Sequence, residues 1–164
     1  MTEILIEPFS PRYSADDIYG LIVPIQQEEF GIAITREGQS DLARIQEFYQ
    51  TGNGNFWVAS ANGAVIGTVA LTDIGNRQVA LRKMFVRADH RGKDKGVAQK
   101  LWENVLKWAK AHKLADIYLG TTSKFLAAHR FYEKNGFVEI DKADLPLAFP
   151  IMAVDSKFYR YRLG

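Results

Sequence analysis

Between Phe56 and Val86 the sequence runs in short apolar stretches of strand length, and turn-forming groups interrupt them twice, at Ala61-Asn62-Gly63 and at residues 73–76. Strands joined by so few residues pair as antiparallel neighbours, and Asn-Gly supplies the positive φ that a tight reversal needs. Residues 56–60, 64–71 and 79–86 are therefore expected to form a three-stranded meander. Directly after it the period lengthens to that of a helix: Val97, Leu101, Val105, Leu106 and Trp108 share a stripe that ends near His112. A helix with one apolar stripe must lie against an apolar sheet face, so the meander and this helix already define two layers.

The flanks extend the pattern. Ile4 and Ile6 alternate before Pro8 and suggest a first strand. Ser14, with Asp17 three residues on, resembles a capping box opening a helix through Ile18, Leu21, Ile22 and Ile25, with Pro24 expected to kink or split it. Ser40 is expected to cap a second helix carrying Leu42, Ile45, Phe48 and Tyr49 on one face. Residues 116–121 suit a strand, 124–134 a helix stopped by Asn135-Gly136, and 137–140 and 156–163 two last strands. The order β, α, α, β, β, β, α, β, α, β, β implies an α+β fold with one mixed sheet and flanking helices.

Neither repeats nor a linker are visible, so residues 1–164 read as one domain. A chain this long buries roughly 70% of its unfolded surface, and an apolar fraction of 47% supplies the core. Without cysteine there is no disulfide, thiolate nucleophile or Cys-based zinc site. The opening MTEILIEPFS lacks the features of a signal peptide, and no apolar run reaches ~18 residues. A cytoplasmic protein without a membrane partner is expected. The formal net charge of +2 points to no nucleic-acid partner.

The chemistry is concentrated in residues 83–109, where a strand enters a basic, glycine-containing loop and the loop enters the long helix. Amides at a helix start lack intrahelical partners and lie at the positive end of the dipole, which suits phosphate. Gly92 and Gly96 allow close backbone approach. From residue 82 to residue 100 seven Lys or Arg face only Asp89 and Asp94, a local excess of five positive charges. No Gly-Lys-Ser/Thr follows the glycines, and Gly-x-Gly-x-x-Gly is absent, so neither a Walker loop nor a dinucleotide fingerprint applies.

This stretch resembles the acetyl-CoA-binding motif of the GNAT superfamily, Gln/Arg-x-x-Gly-x-Gly/Ala. Gly96-Val97-Ala98 matches its end, and its Gln/Arg position falls on Lys93, with Arg91 two residues earlier in a lengthened loop. A second block, residues 120–140, is similar to the family's following motif: Ala128, Phe131, Tyr132, Gly136 and Phe137 match, while Phe125 replaces a frequent Asn whose bond Thr122 or Ser123 could supply. The resemblance implies a GNAT acyltransferase fold and direct acetyl transfer from acetyl-CoA to a primary amine of a small molecule or peptide, with no metal. A non-catalytic acyl-CoA-binding module is the alternative. It implies further that Arg91, Lys93, Asp94, Lys95, Gly96, Val97 and Ala98 hold the cofactor's pyrophosphate. Backbone groups of Phe85 and Val86 would pair with pantetheine, and Tyr132 would act as general acid. Where many relatives carry a basic Glu this chain has Ala80. His129, which shares a helix face with Tyr132, is a catalytic substitute, as are Asp73, Glu28, Glu29 or a water chain. Glu28 and Glu29 border the expected acceptor site. The strand through Phe158, Tyr159 and Tyr161 either completes the sheet or joins a homodimer.

Overall fold

The structure, a computed structural model, describes residues 3–92, 96–123 and 125–163. Seven strands form one sheet: β1 (Ile4–Pro8), β2 (Asn55–Ala61), β3 (Ala64–Gly75), β4 (Gln78–Val86), β5 (Asp116–Thr121), β6 (Val138–Ile140) and β7 (Lys157–Arg162), in the order β1-β2-β3-β4-β5-β7-β6. All neighbours are antiparallel except β4 and β5, so the sheet is mixed as expected. The meander reverses at Asn62-Gly63 and at Asn76-Arg77, where Asn62 (φ 52°), Asn76 (φ 55°) and Arg77 (φ 58°) take the left-handed conformation that a two-residue hairpin demands. The second turn falls later than expected, because β3 continues to Gly75.

The helices are α1 (Ala15–Pro24), α2 (Ile45–Phe48), α3 (Val97–Ala111) and α4 (Leu126–Lys134). Ser14 and Asp17 form the expected reciprocal cap, at 3.1 and 3.2 Å. Pro24 does not end the helical path. The coil widens into a π-helical turn over Ile25–Glu29, which accommodates the absent proline N–H. The helix expected after Ser40 is also different: a 3₁₀ segment over Glu37–Ala43 breaks at Gln39 (φ −129°, ψ 52°) before the single turn of α2. Gln39 is turned inward, its carbonyl accepting from the Tyr19 hydroxyl at 2.7 Å and its amide paired with Gln26 at 2.7 Å. Buried polar groups must be satisfied, and here that requirement overrides helical regularity.

Two apolar layers cover the sheet. On one face Val97, Leu101, Trp102 and Val105 of α3 meet Trp57, Ile66, Val69 and Leu81, with Tyr132 and Phe137 beside them. On the other, Ile18, Leu21 and Ile22 of α1 meet Phe56, Val58 and Ala70. Strand alternation assigns neighbouring residues such as Phe56 and Trp57 to opposite faces. Gly67 sets the spacing of α3: a Cβ there would lie 3.2–3.3 Å from Leu101, Val97 and the Phe85 carbonyl. Among the described residues no helix is long and apolar enough to cross a membrane.

Candidate active site

Strands β4 and β5 pair only over Gln78–Ala80 and Asp116–Tyr118. Beyond that point β4 continues through residues 81–86 with only β3 as a partner, while β5 stays paired with β7 on its other side. The result is a split in the centre of the sheet. Register with β3 passes from Thr68↔Phe85 to Ala70↔Arg82, leaving Lys83 and Met84 opposite Val69 alone. This bulge puts Lys83 at φ 57°, a conformation lysine rarely adopts, held by the Thr68 hydroxyl donating to the Lys83 carbonyl at 2.7 Å.

Past the bulge the hydrogen-bond phase decides what faces the split. Arg87 N–H donates to the Ile66 carbonyl at 2.8 Å, so Val86, opposite Gly67, is a non-hydrogen-bonded partner whose own N–H and C=O point away from β3. The Val86 carbonyl is taken by Arg91 Nε at 2.6 Å. The Val86 N–H faces the opening. Phe85 contributes no polar side chain; its ring packs toward α1 and lies 6.3 Å from that of Phe125.

Arg91 and Glu29, expected at the cofactor and the acceptor, meet each other in this structure. The guanidinium forks onto both Glu29 carboxylate oxygens at 2.6 and 3.0 Å, as well as onto Val86. A bidentate pair of this kind satisfies both partners, which here answer each other. Together they clasp the π-helical turn to the end of β4. Glu28 lies exposed on that turn.

Gly96 opens α3 in the left-handed conformation at φ 65°, and among the described residues no side chain caps the helix. At the cap position itself glycine offers the first-turn amides of Val97 and Ala98 no side-chain acceptor. Val97 is buried and Ala98 partly so, both against the sheet. Lys93, Asp94 and Lys95 lie outside the described residues.

Tyr132 on α4 is 6% exposed, with the rings of Phe137 and Tyr159 at 5.6 and 5.9 Å. Burial pushes its phenol above the ordinary range, so it stays protonated at neutral pH. His129 is equally buried, and its Nε2 lies 2.9 Å from the Thr122 carbonyl. A carbonyl only accepts, so that nitrogen carries the proton and the ring ties α4 to the end of β5. This geometry makes His129 a positioning residue and removes it as a proton acceptor on that nitrogen. Phe125 forms an aromatic bridge, with the Phe30 ring at 4.5 Å and Phe85 beyond.

Ala80 is fully buried with Tyr118, Phe149 and Phe158, so the place of the missing Glu is apolar. Asp73 is spent on the amides of Asn53 and Gly75 at 2.9 and 2.8 Å. Sequence reasoning missed a polar cluster nearby. Lys83 Nζ donates to Gln39 Oε1 at 2.6 Å and lies 3.7 Å from Asp41, which also accepts from the Tyr49 hydroxyl. Burial lowers Lys83 to about 8, against the pull of Asp41. Arg82 and Asp155 were missed as well. The one signal was Arg82-Lys83 inside the otherwise apolar strand 79–86; Asp155 has no sequence signature.

A mixed sheet opened between parallel β4 and β5, with an uncapped glycine helix start beside the opening, is the GNAT fold. The chain belongs to the Acetyltransferase (GNAT) family, whose family model matches residues 19–137. An acetyltransferase of the GNAT family from Staphylococcus aureus Mu50 is 37% identical, with a TM-score of 0.93 over 99% of this chain and 100% of that one. N-acetylaspartate synthetase of Rattus norvegicus is 35% identical over 134 residues, 76% of this chain. The chain spans 44% of that protein, and between 37% and 57% of the curated relatives it matches. The PaiA N-acetyltransferase of Thermoplasma acidophilum, in complex with coenzyme A, shares the fold at 15% identity and a TM-score of 0.71.

Proposed function

We propose that this chain is an N-acetyltransferase, residues 1–164 acting as one domain, that moves the acetyl group of acetyl-CoA directly to the primary amine of a small molecule. The observation that carries the reading is the split between β4 and β5, with the Val86 N–H directed into it and the bare start of α3 beside it. Those features fit the cofactor: an uncapped helix start accepts a pyrophosphate, and an unpaired strand edge accepts an amide-bearing arm. Gly96, Val97 and Ala98 would hold the phosphates through backbone amides, with Lys93, Asp94 and Lys95 in the same loop. The acceptor amine attacks the thioester carbonyl, which the Val86 N–H polarises; the C–S bond then breaks, the Tyr132 hydroxyl donates a hydrogen bond to the departing thiolate, and the proton of the amine nitrogen passes to water. Proximity and orientation supply most of the acceleration.

The name of the rat relative, an N-acetylaspartate synthetase, is in keeping with a small-molecule amine. The test is release of free thiol from acetyl-CoA with a panel of amines, for wild type and Gly96→Glu. Amine-dependent release is expected, with CoA affinity about tenfold or more weaker in the variant because a carboxylate meets the phosphate. CoA binding without thiol release for any amine overturns transfer in favour of a binding module.

A further inference from the structure

Arg82 stands two residues beyond the last β4–β5 pair, on the α1 and α2 face of the sheet. Its guanidinium lies 5.8 and 5.9 Å from the ring centroids of Phe48 and Tyr49, and Nη2 is 3.8 Å from Met152 Sδ. A thioether is a weak acceptor, and among the described residues no carboxylate forms an ion pair with this cation. Across the split, the Asp155 carboxylate rests on β5 at Gly120: a Cβ there would sit 2.6 Å from Asp155 Oδ2 and would displace the carboxylate. The same oxygen accepts from Met152 N–H at 2.9 Å. Met152 thus touches both groups, and their charges are coupled without being paired. Rings and backbone anchor each charge where it is, one on either side of the opening that receives the thioester.

Resting on the transferase reading, we propose that Arg82 and Asp155 are the two poles of the acceptor subsite and that the acceptor is an amino acid. Its carboxylate lies on Arg82 and its amino group on Asp155. The chemistry matches at both ends. A guanidinium backed by aromatic faces and short of an anion takes a carboxylate through two parallel bonds. Burial raises the Asp155 carboxyl above the ordinary range, so it gains more from an arriving cation than a solvated carboxylate would. A ligand with both charges close together satisfies both groups at once, whereas a simple amine leaves Arg82 unanswered.

The test compares L-amino acids with their carboxamides as acceptors, which removes the negative charge and keeps the amine. Wild type is expected to prefer the acid by about tenfold or more in kcat/KM, the loss of one charge-assisted contact. Arg82→Gln should raise the acceptor KM by a similar factor and erase the preference, with the acetyl-CoA KM unchanged. Arg82→Lys should restore part of it. Asp155→Asn, which keeps the bond to Met152, should raise KM for acid and amide alike. Equal use of acid and amide by wild type, or a preference surviving in Arg82→Gln, overturns the proposal. If no amine is turned over, the transferase reading fails separately. Calorimetric titration of the CoA-loaded protein with the same amino acids then decides: binding lost in Arg82→Gln supports the subsite, and absent or unaffected binding refutes it.

Discussion

Tyr132 sits among Phe137, Tyr159 and Phe131 with only 6% of its surface exposed, a position that packing alone would explain. A phenol raised by burial is a poor source of a fully transferred proton for a thiolate, whose usual pKa is about 8.5. It can still donate a hydrogen bond to one. Replacing Tyr132 with Phe keeps the ring contacts, so kcat at saturating acceptor should fall about 10–100-fold while Tm and acetyl-CoA KM hold. Wild-type kcat with an unchanged melt would assign the residue to packing. Arg91 and Glu29 show at the same scale what a sequence leaves out. Sixty-odd residues apart in the chain, each looked free to meet a ligand. Only the fold brings them to 2.6 Å, where they answer each other.

At the level of elements, α3 is defined by its own sequence but seated by β3. The apolar stripe from Val97 to Val105 states which face is buried; it does not state how closely. That distance is set by Gly67, where Leu101, Val97 and the Phe85 carbonyl would crowd any Cβ within 3.2–3.3 Å. Gly67→Val should force α3 outward and cost about 1–3 kcal/mol, as overpacking does. The midpoint should drop by about 2–4 °C per kcal/mol. Because the start of α3 moves with it, CoA affinity should fall too, read by titration at a temperature where the variant is folded. A stable variant with unaltered CoA affinity would show that α3 can yield there. The bulge at Lys83 belongs to the same scale: alternation predicts a regular strand, and the extra residue is legible only against Val69 of its partner.

For the molecule as a whole, the buried Lys83 links stability to pH. Its folded pKa is lowered to about 8 from 10.5, chiefly by desolvation. Between those values the unfolded chain retains a proton that the folded chain has released, so stability from this group rises with pH across the window. The buried tyrosines Tyr49, Tyr132 and Tyr159 are raised, and act in the opposite direction only above pH 10. Denaturant midpoints at about pH 7.5 and about pH 9.5 should show wild type gaining on Lys83→Met as pH rises. A gap that does not change with pH would mean that Lys83 is charged in both states. Local sequence determined the meander, the helix stripes, the Ser14 cap and the glycine start of α3, because each depends on neighbours within a few residues. The insertion of β7 between β5 and β6, the split beside β4, and the meeting of Arg82 with the Asp155 loop were decided by tertiary structure. They join residues up to 73 positions apart, and such contacts arise from packing the whole sheet rather than from any local period.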